Sequence, residues 1–142
     1  MIVVSDTSVL SPLAAGDVFA LVARLFARSR LCIPPAVGQE LQIGLDRGKP
    51  YLAPVIEAIA MRQITVLTLA SDEEQLLASQ PHKLNIGERQ AIALAQTRNA
   101  LLLSNDKRAT RYCQQHDIRV LNLPDILCSG CAASCRGMKC AN

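Results

Sequence analysis

Short apolar runs alternate with longer helical patterns along this chain, and this alternation limits the folds open to it. The runs fall at 2–4, 31–33, 64–69, 101–103 and 118–121. They are uniformly apolar, which is typical of strands buried on both faces rather than strands with one wet face. Strands that alternate with helices indicate a parallel sheet with right-handed crossovers. We therefore predict an α/β fold whose mainly parallel sheet is covered by helices on both faces.

The stretches between these runs carry helix signals. Pro34-Pro35 suits a first helical turn. Two stretches, Ser71-x-x-Glu74 and Asn85-x-x-Glu88, resemble capping boxes. Asp6-Thr7-Ser8 is expected to be a turn out of the first strand. The predicted helices run from a cap at Asp17 through Arg28, from Pro34-Pro35 to about Leu45, and over 52–61, 71–80, 85–98 and 107–116.

Composition narrows the class of protein further. At 142 residues, of which 50% are hydrophobic and 19% charged, the chain has the size and composition of one folded domain. Arg24 interrupts one of the longest apolar stretches, so no membrane span is expected. The N-terminus reads as a strand without a basic prefix, which argues against a signal peptide and favours a cytoplasmic location. The net charge of +3 permits an anionic partner without requiring one.

Four acidic residues stand where strands end or helices begin. Asp6 closes the first apolar run and Asp106 closes the fourth, while Glu40 and Glu88 lie one turn into their helices. The carboxyl ends of parallel strands share one edge of the sheet, where α/β proteins bind ligands. Like charges packed there are unfavourable unless a cation or protons neutralise them. Carboxylates with water suit Mg²⁺ or Mn²⁺ better than zinc, and such a site can support phosphoryl-transfer chemistry.

Each of these residues also has a local structural explanation. Asp6 and Asp106 could cap the helices that follow them, and Glu88 could complete the box begun by Asn85. Glu40 could face solvent, as most helical Glu residues do. The set is more informative than any member, because the predicted topology places all four at the same edge.

Basic residues follow the last acid. Lys107 and Arg108 occupy the first turn of a helix, where positive charge opposes the helix dipole, and Arg111 lies one turn further on. A bound phosphate at this edge would offset that cost, so the three are candidate contacts to the phosphates of a ligand. The alternative is that Asp106 already compensates them and that they are solvated.

Four motifs together resemble the PIN-domain nucleases, in particular the small prokaryotic branch related to VapC-type toxins. The motifs are Ile2-Val-Val-Ser-Asp6-Thr-Ser, Ile33-Pro-Pro-Ala-Val37-x-x-Glu40-Leu, Asn85-Ile-Gly-Glu88-x-x-Ala-Ile-Ala-Leu-Ala and Leu103-Ser104-Asn-Asp106-x-x-Ala. The resemblance runs from Met1 to about Leu127. It implies a three-layer α/β/α sandwich with a central parallel sheet.

The same resemblance implies a Mg²⁺- or Mn²⁺-dependent endoribonuclease, often a homodimer and often neutralised by a cognate antitoxin. By motif position, Asp6, Glu40, Glu88 and Asp106 match the acidic residues of the family. Ser104 and Ser8 match small hydroxyl residues near the last and first acids, where they would support the metal site by hydrogen bonding. Glu88 stands where many members carry Asp.

The end of the chain departs from that pattern. Composition changes at about Cys128, which predicts a nuclease-like domain over 1–127 and a cysteine-rich tail over 128–142. The spacing C-x₂-C-x₃-C-x₄-C makes the tail a candidate Zn²⁺ site, although the usual pair of knuckles is absent. An iron–sulfur cluster and a cysteine-rich terminus without metal remain as alternatives. The four residues are Cys128, Cys131, Cys135 and Cys140.

Two other functions remain open on sequence grounds. One is a non-catalytic binding module that keeps the fold. The other is a phosphatase or phosphoacceptor with Asp6 as nucleophile, which is weakened because no second Asp follows two residues later.

Overall fold

The computed structural model describes residues 1–126, and in this part of the chain five parallel strands form one sheet in the order β3-β2-β1-β4-β5. The strands are β1 (Ile2–Ser5), β2 (Arg30–Ile33), β3 (Thr65–Val66), β4 (Leu101–Leu103) and β5 (Val120–Leu121). The helices are α1 (Thr7–Ala15), α2 (Phe19–Leu25), α3 (Pro35–Asp46), α4 (Ala53–Ala60), α5 (Ser71–Ser79), α6 (Ile86–Thr97) and α7 (Lys107–Gln115), with a 3₁₀ helix at Pro50–Leu52.

Two apolar cores lie on opposite faces of the sheet. Successive strand residues point to opposite faces, so Val3 joins a core with residues of α1 to α4, whereas Val4 joins a core with residues of α6 and α7. Both valines are fully buried. The three-layer α/β/α sandwich with a parallel sheet is therefore confirmed.

The strand order places a topological switch point beside β1. The chain first moves from β1 to β2 and β3 on one side, and then returns to build β4 and β5 on the other side. β1 therefore pairs with both β2 and β4, with Ser5 in register with Leu103. Crevices at the carboxyl ends of such strands are where open parallel sheets bind ligands.

A helix begins directly after β1, where we expected a turn and kept a helix capped by Asp6 only as the alternative. α1 contains Pro12 as well as three small polar residues, and this composition obscures its helical pattern. Its inward side is formed by Val9, Leu10 and Leu13, all buried in the first core. Burial of these side chains outweighs the weak local propensity.

The predicted cap at Asp17 is wrong. Asp17 adopts a left-handed conformation with φ of 57° in the turn after α1, and α2 begins only at Phe19 with Val18 as its N-cap. Asp is one of the few residues that tolerate this conformation.

The two predicted capping boxes have different outcomes. In α6 the box is confirmed: Asn85 Oδ1 accepts a hydrogen bond from the Glu88 N–H at 2.8 Å, and the Glu88 carboxylate accepts one from the Asn85 N–H at 3.2 Å. In α5 the predicted pair is displaced by one residue, because Ala70 is the N-cap and its N–H donates to Glu73 at 2.8 Å.

Two predictions fall on the rest of the chain. The four tail cysteines and the predicted boundary between 127 and 128 lie outside the described residues. Across 1–126, no helix combines the length and the apolar character needed to cross a membrane.

Candidate acidic site at the switch point

Asp6 stands at the centre of the site. It follows β1 and is 1% exposed, so its carboxylate is removed from bulk water. Both carboxylate oxygens are held: Oδ1 accepts a hydrogen bond from the Ser8 hydroxyl and Oδ2 one from the Ser104 hydroxyl, each at 2.6 Å. These short bonds fix the orientation of the carboxylate.

The two serines also connect the end of β1 to the loop after β4. The Asn105 N–H donates to Ser8 Oγ at 2.8 Å, and the Asp106 N–H donates to Ser104 Oγ at 3.3 Å. Asp106 is the N-cap of α7, and its Oδ1 accepts from the Ala109 N–H at 2.9 Å. The hydroxyls of Ser8 and Ser104 thus link Asp6 to the segment that carries Asp106.

Glu40 and Glu88 line a cavity of about 390 Å³ at this edge. Glu40 comes from α3 and Glu88 from the first turn of α6. Ser8, which contacts Asp6, lines the same cavity. Residues from α1, α3 and the start of α6 therefore line one cavity at the switch point, whereas Asp106 is not part of its lining.

The charges of these residues act on one another. The pKa of Glu88 is raised to about 7, mainly by burial and in addition by the nearby carboxylates of Asp106, Asp6 and Glu40, while the hydrogen bond from the Asn85 N–H opposes the rise. Burial also raises the pKa of Asp6, although the bonds from Ser104 and Ser8 oppose this effect. An acidic group whose ionisation is opposed in this way favours a counter-charge nearby.

The donor atoms fit a hard divalent cation. They are carboxylate and hydroxyl oxygens, and the Thr7 hydroxyl, at the start of α1, is buried without a hydrogen-bond partner. The side chains are not already arranged as a coordination shell, however. Within 1–126, no group of three or more His, Cys, Asp or Glu side chains stands ready to hold a metal ion. Glu88, for example, is engaged with Asn85.

Gly87 is a residue of the site that the sequence analysis did not single out. A Cβ atom at this position would lie 2.8 Å from Glu40 Oε1 and 3.2 Å from Val37 Cγ2. The glycine therefore allows the first turn of α6 to approach α3 closely enough to bring Glu88 beside Glu40. The glycine is visible in the motif Asn85-Ile86-Gly87-Glu88, but the sequence alone assigned a role only to the capping-box residues Asn85 and Glu88.

The predicted basic contacts lie beside the acidic cavity rather than in it. Arg108 and Arg111 line a second cavity on one side of α7, and Lys107 and Arg111 line a third on the other. All three side chains are exposed.

Cys32 and Cys113 are buried core residues, as their positions in a strand and a helix suggest. Both are free thiols. Burial raises the pKa of Cys113 to about 12, with a smaller contribution from the charge of Asp6. Both belong to the second core, so neither thiol is available as a surface nucleophile.

The fold and the site together give the class of protein. It is an α/β protein whose parallel sheet is covered on both faces and carries carboxylates at the carboxyl ends of its strands. The chain belongs to the PIN-domain family: it matches the DUF3368 family, described as a PIN domain, over residues 2–129.

Solved structures of similar fold include VapBC-1 from nontypeable Haemophilus influenzae, with a TM-score of 0.67 and 16% identity over 87% of this chain and 99% of that one. VapBC2 from Rickettsia felis, bound to a DNA fragment from the promoter, has a TM-score of 0.66 and 16% identity over 86% and 98%. A PilT N-terminus domain protein from Sulfolobus solfataricus has a TM-score of 0.63 and 17% identity over 92% and 93%. No curated protein matches the sequence.

Proposed function

We propose that this chain is a Mg²⁺- or Mn²⁺-dependent endoribonuclease and the toxin component of a toxin–antitoxin pair. The observation that carries the proposal is electrostatic: the carboxylates of Asp106, Asp6 and Glu40 lie near enough to Glu88 to raise its pKa. Asp6 accepts a hydrogen bond from Ser8, which lines the same cavity as Glu40 and Glu88. It also accepts one from Ser104, whose Oγ accepts from the Asp106 N–H. Membership of the PIN-domain family supports the assignment.

In this proposal Asp6 and Asp106 bind the cation directly, while Glu40 and Glu88 bind it directly or through water. When bound, Mg²⁺ or Mn²⁺ supplies an activated water and stabilises negative charge at the phosphate. Ser8 and Ser104 keep the Asp6 carboxylate in one orientation, so little reorganisation is needed there. One of the two glutamates orients the attacking water.

The exposed cations on α7 supply contacts to the RNA backbone. Lys107, Arg108 and Arg111 lie just after Asp106, so phosphates bound to them would lie beside the acidic cavity. Each phosphate contact releases counterions from the RNA, so binding weakens with added salt. For a single strand, each contact contributes about 0.7 to the slope of log affinity against log salt concentration.

Structures of similar fold support a proposal about partners. Two of them are VapBC proteins, one bound to promoter DNA. We propose that this chain is neutralised by a cognate antitoxin and that it acts in the cytoplasm as a homodimer. Exposed apolar side chains such as Ile43 and Val66 are available for such contacts.

The direct test is cleavage of single-stranded RNA by the wild type and by Asp6→Asn. We expect Mg²⁺- or Mn²⁺-dependent cleavage by the wild type and none by the variant, because Asn cannot supply the charge that holds the cation. Asp17→Asn is a matched control, since Asp17 is exposed in a left-handed turn that Asn also tolerates. Cleavage by Asp6→Asn at the wild-type rate would remove the catalytic assignment.

A non-catalytic binding module is the second candidate. It is favoured by the absence, within 1–126, of three side chains already placed to hold a metal ion. The discriminating measurement is the melting temperature during Mn²⁺ titration. A rise that is lost in Asp106→Asn supports the nuclease, whereas no rise at millimolar Mn²⁺ supports the binding module.

A further inference from the structure

A second cavity lies between α7 and the turn that precedes α6. Its volume is about 220 Å³, and it is lined by Lys83, Leu84, Arg108, Arg111 and Tyr112, among others. Sites for whole drug-sized ligands usually measure roughly 300–1,000 Å³. A cavity below that range suits a single planar ring rather than a complete nucleotide.

The rim of this cavity is positively charged. Lys83, Arg108 and Arg111 are all exposed, and none of them forms a salt bridge, since the ion pair recorded within 1–126 joins Arg98 to Glu73. The floor is apolar at Leu84, which is buried. Three unpaired cations around an apolar floor favour a ligand that has both a planar apolar part and negative charge.

Tyr112 gives the cavity an aromatic wall. Its ring stacks on the ring of His116, with centroids 4.1 Å apart and an interplanar angle of 25°. The same residue packs against the second core from a partly buried position. These contacts order the ring before any ligand binds, which lowers the entropic cost of stacking a base against it.

At two places, residues that line this cavity are close neighbours in sequence of residues of the acidic site. Leu84 immediately precedes Asn85, which lines the acidic cavity, and Arg108 follows Asp106 by two residues in the first turn of α7. Because neighbouring residues line the two cavities, a nucleic acid strand with a phosphate at the acidic site can reach this second cavity with an adjacent nucleotide.

We propose that this cavity binds the base of one unpaired nucleotide of single-stranded RNA, next to the phosphate that is cut. Tyr112 stacks on the base, and Lys83 and Arg108 contact the flanking phosphates. Stacking on an aromatic side chain tolerates any base, so the cavity selects for an unpaired nucleotide more than for a particular sequence. This assignment rests on the proposed function, because it takes RNA as the substrate.

The test measures binding of a labelled short single-stranded RNA by fluorescence anisotropy, with the full chain in EDTA so that metal-dependent cleavage is suppressed. We expect Tyr112→Leu, which keeps an apolar side chain, to weaken binding about tenfold or more, whereas Tyr51→Leu stays within about twofold of the wild type. Tyr51 lies in the 3₁₀ helix and lines neither cavity. Circular dichroism checks that both variants fold.

A second measurement separates stacking from loss of structure. It uses a set of RNAs, each of which lacks the base at a different position. The wild type should bind one RNA of the set more weakly than the others. Tyr112→Leu should bind that RNA with the same affinity as the others. Lys83→Ala, an exposed change, should lower the affinity for every RNA in the set by a similar factor. Wild-type affinity of folded Tyr112→Leu, or equal affinity for all abasic RNAs, overturns the assignment.

Failure of this assignment can be distinguished from failure of the proposed function. If the abasic pattern appears but no divalent metal supports cleavage, the nuclease proposal fails and the base-binding cavity stands. If cleavage is metal-dependent but Tyr112→Leu binds RNA like the wild type, the cavity assignment fails and the nuclease proposal stands.

Discussion

At the scale of single residues, the site depends on placing a negative charge where water is scarce. Asp6 is buried, yet two serine hydroxyls replace the water that its carboxylate has lost. The position of Asp6 could be predicted, because an acid at the end of an apolar run is unusual. Ser8 stands two residues after Asp6, whereas Ser104 could be expected only from the family motif, since it is 98 residues away in sequence.

Glu88 makes the metal-free protein sensitive to pH. Its pKa rises from 4.5 to about 7 on folding, so ionised Glu88 destabilises the folded state. Protonated Glu88 stabilises the folded state. This stabilisation is complete below pH 4.5, the unfolded pKa, and is lost as the pH rises through about 7. In EDTA, Glu88→Gln should therefore raise the unfolding free energy by ~1–3 kcal/mol near pH 8 and change it little near pH 5.

Thermal melts at the two pH values check this prediction. Gln can also accept the hydrogen bond from the Asn85 N–H. The variant therefore changes the charge without removing the helix cap. Glu74→Gln, an exposed change in α5, is the control and should have no pH-dependent effect. Equal shifts for Glu88→Gln at both pH values would contradict the predicted repulsion.

Gly87 should affect metal affinity through Glu40. In Gly87→Ala the new Cβ meets Glu40 Oε1, so the carboxylate must move. We expect the affinity for Mn²⁺ to fall about tenfold, in the range typical of positioning residues around a metal, as measured by calorimetric titration. Gly38→Ala in α3 is the matched control, because its nearest contact is Ile33 Cδ1 at an ordinary 3.6 Å. Similar losses in both variants would show that Gly87 has no special role.

At the scale of elements, α5 is attached to α6 by one buried carboxylate. Glu73 accepts hydrogen bonds from Arg98 Nε at 3.0 Å and Nη2 at 3.0 Å, from the Ala70 N–H at 2.8 Å, and from the Thr97 hydroxyl. The bond from Arg98 is the main reason that the pKa of Glu73 falls to about 2. Burying such a carboxylate is tolerated because each of its oxygens is hydrogen-bonded.

We expect Glu73→Ala to lower the unfolding free energy at neutral pH by ~2–4 kcal/mol, because it removes several hydrogen bonds to a charged group. Glu74→Ala, at an exposed neighbouring position, should change it by less than about 0.5 kcal/mol. Since the folded pKa of Glu73 is depressed, its contribution is present above pH 4.5 and is lost as pH falls towards 2. Urea melts at neutral and acidic pH measure both effects, and a pH-independent loss would contradict this account.

Local patterns predicted most strands but not all helix starts. β1 and β4 nearly coincide with their apolar runs, because both are buried on both faces. β3 covers only two residues of the predicted 64–69. Leu67 beyond it is buried outside the strand, and an apolar run cannot distinguish core burial from strand pairing. α1 was missed because tertiary burial, which the sequence does not display, stabilises a helix of weak propensity.

At the scale of the molecule, strand order brings acids from distant parts of the sequence to one edge of the sheet. Alternating strands and helices predicted the layers, and the family motifs predicted the acids, but neither determines which strands are neighbours. The switch point beside β1 joins Asp6 to Asp106 across β1 and β4, and the approach of α3 and α6 adds Glu40 and Glu88. Those long-range relations depend on packing between segments far apart in sequence.

The most direct test of this account is a crystal structure of the protein soaked in Mn²⁺, with the ion located by anomalous scattering. The account predicts a Mn²⁺ peak between Asp6 and Asp106, with Glu40 or Glu88 in its coordination shell directly or through water. A Mn²⁺-containing crystal without a peak at this position, or with the four carboxylates turned away from one another, would contradict it.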